Sequence, residues 1–178
     1  MNSKISATPI GNHQVNIGLA IIGMLIIIAG TLITPLQPQK LCYLTGGLFL
    51  LLSAILERQL FFTLLQLIIS SGTLIAFAPL TSFYKALVPI CLSIIVIVYF
   101  IKTGKLHNPL NRLGCLGLIF LGIGYAITHP LIYFLGGVCL TLFSFAAFRQ
   151  GVRLGLVWGL LNAVFTVTAG IATYKFFF

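Results

Sequence analysis

Acidic residues are almost absent from this chain: Glu57 is the single one in 178 residues, against ten lysines and arginines. With no Asp or Glu inside an apolar segment, a carboxylate proton relay of the usual pump type is hard to build. Beside Arg58 in a short polar turn, Glu57 reads as half of a solvated ion pair. The four cysteines (Cys42, Cys91, Cys115, Cys139) fall in four different apolar segments and form no CxxC. That pattern reads as small buried apolar residues and not as metal or redox chemistry. His13, His107 and His129 sit in loops or at helix ends, without metal-ligand spacing. No hydrolytic or transfer machinery is visible, so neither an enzyme nor a cofactor is expected.

Charge of either sign is scarce, at 6% of residues, whereas 60% are hydrophobic and the mean hydropathy is +1.16. So little polar surface cannot cover a soluble fold of this size. The net charge of +9 does not point to nucleic acid, because the basic residues stand singly at the ends of apolar runs without interleaved aromatics. They read as anchors that hold loops to one side of a bilayer. An integral membrane protein is the expectation, with a retained first helix, since no small-x-small cleavage site follows the first apolar run.

Seven apolar segments can be drawn: 17–34, 41–56, 60–79, 86–101, 113–128, 131–148 and 154–174. Pro35, Gln37 and Pro38 close the first; Gly104, Asn108 and Pro109 break the longest polar interval. Runs of 16 to 20 residues suit a helix crossing roughly 30 Å of hydrocarbon. With seven spans, Lys4, Arg58, Lys102, Lys105, Arg112, Arg149 and Arg153 fall on one side, and only Lys40, Lys85 and Lys175 on the other. This bias places the N-terminus in the cytoplasm.

The chain also says nearly the same thing twice. Gly23, Gly30 and Thr34 match Gly117, Gly124 and Thr128 at an offset of 94. Tyr43, Gly46, Gly47 and Leu50 match Tyr133, Gly136, Gly137 and Leu140 at 90, and Arg58-Gln59 matches Arg149-Gln150 at 91. The expected plan is an all-α membrane protein with two parallel three-helix repeats, 1–84 and 103–178, joined by a linker helix over 85–102. The repeated glycines read as close-packing positions.

This plan resembles the SWEET sugar facilitators, the PQ-loop proteins and the PnuC-type vitamin-precursor transporters. The resemblance runs from about Asn16 to Tyr174 and rests on architecture and the repeated glycines. It implies a small-molecule transporter with Trp and Asn around a central pocket, which carries over to Trp158 and Asn162.

The residues point the same way. Trp158, Asn162 and Thr166 share one face of segment 7; Thr63, Gln66, Ser70 and Thr73 share one face of segment 3. An amide in hydrocarbon costs several kcal/mol unless it finds partners, so Gln66 and Asn162 face the bundle interior. A substrate site built from Trp158, Asn162, Gln66, Ser70 and Thr166 would offer one stacking surface plus donors and acceptors. The same residues also serve as interhelical glue, and Trp158, close to Arg153, as an interfacial anchor. The expected function is facilitated diffusion of a neutral or weakly charged solute (sugar, nucleoside or vitamin precursor) by alternating access. A non-transporting membrane subunit and an ion channel are the alternatives. The expected partners are the lipid bilayer and the solute, with homo-oligomerisation open, in a bacterial inner membrane.

Overall fold

The structure, a computed structural model, describes residues 9–33, 36–127 and 129–178. The described residues form seven α-helices: α1 (His13–Thr31), α2 (Leu36–Leu56), α3 (Leu60–Ile75), α4 (Ser82–Lys102), α5 (Pro109–Ile127), α6 (Pro130–Arg149) and α7 (Leu154–Phe177). Five of them, α1, α2, α4, α6 and α7, are long and apolar enough to cross a membrane. Lys4, Thr34, Pro35 and Thr128 lie outside the described residues.

Local chemistry sets most boundaries. The Asn12 side chain accepts the Gln14 amide at 2.9 Å and caps α1. Pro130 takes the first position of α6, where its missing N–H has no helical partner to lose. The three turns at one end of the bundle each hold a left-handed residue: Arg58 (φ 52°), Gly104 (φ 69°) and Gly151 (φ 94°). Arg58 is the costly one, since a side chain at positive φ crowds its own backbone.

Several boundaries differ from the sequence expectation. α1 covers His13–Thr31 and not 17–34, and α5 begins at Pro109 and not at 113, because a proline at a first helical position loses no hydrogen bond. α2 begins at Leu36 and not Leu41, because Pro38 falls in its first turn, where proline is tolerated; the helix reaches 21 residues. α3 stops at Ile75, short of Pro79, and has 16 residues, about 24 Å. The carbonyl of its C-cap residue is held by two cations: Lys40 Nζ and Lys85 Nζ donate to the Ala76 oxygen at 3.0 and 3.3 Å. Positive charge at a helix C-terminus is favourable. α4 starts at Ser82, so Lys85 lies inside it, and it carries Pro89 within the helix.

Each helix packs against the next, and contacts of α1 with α7 and of α3 with α5 close six helices into a ring. α4 leans on α3 and α5 and is the least buried of the five long apolar helices. The glycines decide how closely the helices approach. A methyl added to Gly23 or Gly46 would sit 2.6 Å from the other's carbonyl oxygen. In the second half a methyl on Gly136 would meet the Leu121 amide nitrogen at 2.7 Å. Tyr43 packs over Gly30, and Tyr133 over Gly124. The close-packing reading therefore holds at these positions. Aliphatic residues such as Leu25, Leu52, Ile94, Leu142 and Val167 point outward, exposed.

Candidate functional site

A cavity of about 370 Å³ opens where α1 ends, α2 and α6 begin and α7 runs towards its C-terminus. Its wall is formed by Thr31 of α1, Gln39 and Tyr43 of α2, Pro130 and Tyr133 of α6, and Phe165, Thr168, Ala169 and Ala172 of α7. None of these carries a charge. Gln39 Nε2 donates to the Tyr43 hydroxyl at 2.9 Å, and the Tyr43 and Phe165 rings lie 5.8 Å apart. Thr31 and Thr168 donate their hydroxyl protons to their own helices, at Ile28 O (2.6 Å) and Val164 O (3.0 Å). Each oxygen thus remains available as an acceptor. The chamber offers aromatic surface, neutral acceptors and an amide, within the range of about 300–1,000 Å³ usual for small ligands.

The opposite end is filled by aromatic rings. Phe61 and Phe62 from the start of α3, Phe143 from α6, Phe100 from α4 and Trp158 from α7 form one cluster. Centroid distances are 4.2 Å (Phe61–Phe143), 5.7 Å (Phe62–Phe143), 5.5 Å (Phe61–Phe100) and 5.2 Å (Phe62–Trp158). Trp158 is 1% exposed, and its indole Nε1 has no hydrogen-bond partner. A donor left so costs about 1–3 kcal/mol.

The five residues expected at a substrate site lie outside the cavity wall. Asn162 and Trp158 sit about one and two turns deeper along α7 than Phe165. Asn162 is buried and its Nδ2 donates to Trp158 O at 2.8 Å; Thr166 Oγ1 donates to Asn162 O at 2.7 Å and lies 3.4 Å from Thr141 Oγ1. On α3, Gln66 Nε2 reaches Ser70 Oγ at 3.3 Å. α3 and α7 each rest polar groups on a double glycine of the preceding helix. A methyl on Gly47 would meet Gln66 Nε2 at 2.5 Å, and one on Gly137 would meet Thr166 Oγ1 at 2.5 Å. Phe62, Gln66 and Ser70 precede Trp158, Asn162 and Thr166 by a constant 96 positions.

Sequence reasoning named none of the nine wall residues as binding residues, although it had singled out Tyr43 and Tyr133 as repeat markers. The signal was present: both open the duplicated YxxGG stretch. What the sequence does not tell is that α1, α2, α6 and α7 meet there.

Glu57 also differs from expectation. It is buried and does not pair with Arg58 in the way a solvated turn would have it. Both its oxygens lie 2.8 Å from His13 Nδ1, and Asn16 Nδ2 donates to it at 2.8 Å. Asn16 also donates to Ile10 O and accepts Ser53 Oγ at its carbonyl. The chain's sole carboxylate thus fastens the start of α1 to the end of α2. The cysteines divide: Cys115 is buried, Cys42 and Cys139 are half-buried, and Cys91 is exposed on α4, against the expectation of burial.

No protein-family model, curated protein or solved structure matches the chain.

Proposed function

We propose that the chain is an integral membrane transporter that passes a small neutral solute by alternating access. In this reading all seven helices cross the bilayer, with α1–α3 and α5–α7 as parallel repeats and α4 as the linker. The contacts support a two-fold plan. The pairs α1–α2, α2–α3 and α3–α5 correspond to α5–α6, α6–α7 and α7–α1. The same glycines receive the same neighbours: Tyr43 over Gly30 and Tyr133 over Gly124, Leu50 against Gly23 and Leu140 against Gly117. A duplicated unit produces such pairs, and the SWEET-like and PnuC-like resemblance implies the same plan.

One observation carries the proposal. A neutral chamber at one end has both repeated tyrosines in its wall, while the opposite end is closed by Phe62 against Trp158, themselves matched positions. A chamber open at one end and sealed at the other is what one state of an alternating-access protein requires. The uncharged wall favours a neutral ring compound such as a nucleoside, vitamin precursor or sugar. Asn162, Gln66, Ser70 and Thr166 become the next polar steps on the path, and Trp158 part of the seal.

Arg58, Lys102, Lys105, Arg112, Arg149 and Arg153 stand near the phenylalanine end, and Lys40, Lys85 and Lys175 near the tyrosine end. By the positive-inside rule the chamber faces away from the cytoplasm; the proposed location is a bacterial inner membrane. The test is uptake of labelled nucleosides, vitamins and sugars into proteoliposomes. Uptake that needs no proton gradient, and that Tyr133→Ala abolishes at unchanged yield, supports facilitation. Loss on collapsing the gradient contradicts it.

A further inference from the structure

We infer that the corner between α4 and α5 is a binding site for the phosphate of an anionic lipid. This rests on the membrane reading above but not on transport. After Lys102 the chain turns at Gly104, makes a single 3-10 turn (Lys105–His107) and enters α5 at Pro109. The turn is held from three sides. His107 Nδ1 donates to Gly104 O at 2.8 Å, Asn111 Nδ2 to Lys105 O at 2.7 Å, and Arg112 Nε to Leu106 O at 2.7 Å. Arg112 is thereby fixed through Nε, with its two terminal nitrogens left to bind something else.

Between Ile101, Leu106, His107 and Arg112 lies a cleft of about 160 Å³. Lys105, next in sequence to Leu106 of the cleft wall, has its Nζ 5.6 Å from the Tyr99 ring and 5.8 Å from the Phe100 ring. No acidic side chain answers these cations, because the chain's only carboxylate is engaged with His13. The pair is therefore open to an anionic ligand.

The cleft is half apolar, and this selects the source. Ile94, Val98 and Ile101 follow one another at helical spacing on the exposed surface of α4 and lead along the helix into the cleft. A ligand with an anionic head and an apolar tail satisfies both halves, whereas free phosphate satisfies one. Guanidinium matches phosphate in planar, two-pronged fashion, so Arg112 is the main contact and Lys105 a supporting charge.

The test is thermal unfolding of the detergent-purified protein with added phosphatidylglycerol, phosphatidylcholine or inorganic phosphate. The variant is Lys105→Gln/Arg112→Gln, and Arg149→Gln/Arg153→Gln is the control with equal charge removed at the same end. Phosphatidylglycerol should stabilise the wild type, and the first variant should bind it about thirty-fold more weakly, the loss of two such charges. The control should keep its affinity, and phosphatidylcholine and inorganic phosphate should do little. Equal loss in both variants would mean diffuse surface attraction and overturn the site. Stabilisation by inorganic phosphate alone would overturn the lipid. Should the double variant not fold, the exposed Lys105→Gln alone must still weaken binding more than Arg149→Gln. A protein washed from membranes by alkaline carbonate would instead refute the membrane reading.

Discussion

The two ends of this bundle are built from opposite materials. At the tyrosine end, polar side chains (Thr31, Gln39, Tyr43, Tyr133 and Thr168) together with Pro130, Phe165, Ala169 and Ala172 surround space. At the phenylalanine end, five aromatic rings fill it. In the proposed membrane setting, helix packing gains nothing from the hydrophobic effect between helices, so contact area and shape decide where they close. A cluster of five rings at 4.2–5.7 Å supplies that contact at one end, where the other has the separate pairs Tyr43–Phe165 at 5.8 Å and His129–Phe176 at 5.6 Å. The difference teaches that the matched residues of the two halves do different work at different depths. Tyr43 and Tyr133 border a void, the double glycines seat amides and hydroxyls, and Phe62 meets Trp158.

The sharpest way to break the contrast is to force apart helices that must stay close. Gly46→Leu should abolish folded yield, since even a methyl there meets the Gly23 carbonyl at 2.6 Å; size-exclusion chromatography of detergent extracts would read this. Opening the sealed end comes next. Trp158→Ala should cost about 3–5 kcal/mol by the usual scale for emptying a large aromatic site, seen as a fall in melting temperature. The corresponding removal at the open end, Tyr133→Ala, should cost clearly less, because it borders existing space. If the two losses are equal, the ends are not different in kind.

Glu57→Gln should destabilise by about 1–2 kcal/mol, at the lower end for a buried partner because His13 is part-exposed. Chemical denaturation would measure it, and Arg58→Gln should do much less. The smallest effect is expected at the wall. Thr168→Val should leave stability within about 0.5 kcal/mol while reducing uptake of a solute that uses its oxygen.

The seven segments were legible because charges and prolines stand at their ends. The start of α2 was not, since Pro38 and Lys40 resemble a loop until Pro38 is known to occupy a first turn. Glu57 was misread because its partners, His13 and Asn16, are more than forty positions away, whereas Arg58 is adjacent. Polar spacing along segments 3 and 7 identified Gln66 and Asn162 as interior residues, which they are. It did not reveal that the Asn162 amide donates to its own helix, at Trp158 O. The chamber was hardest to read, because a void is a relation between four helices and no local pattern encodes it.

The most direct measurement is thiol labelling from one side of the membrane. Cys42, Cys91, Cys115 and Cys139 would be replaced first, and a single cysteine placed by Thr168→Cys or by Phe62→Cys. In intact cells an impermeant maleimide should modify the Thr168→Cys protein from outside and leave the Phe62→Cys protein unmodified. Modification of the Phe62→Cys protein together with silence of the Thr168→Cys protein would contradict an open tyrosine end and a sealed phenylalanine end.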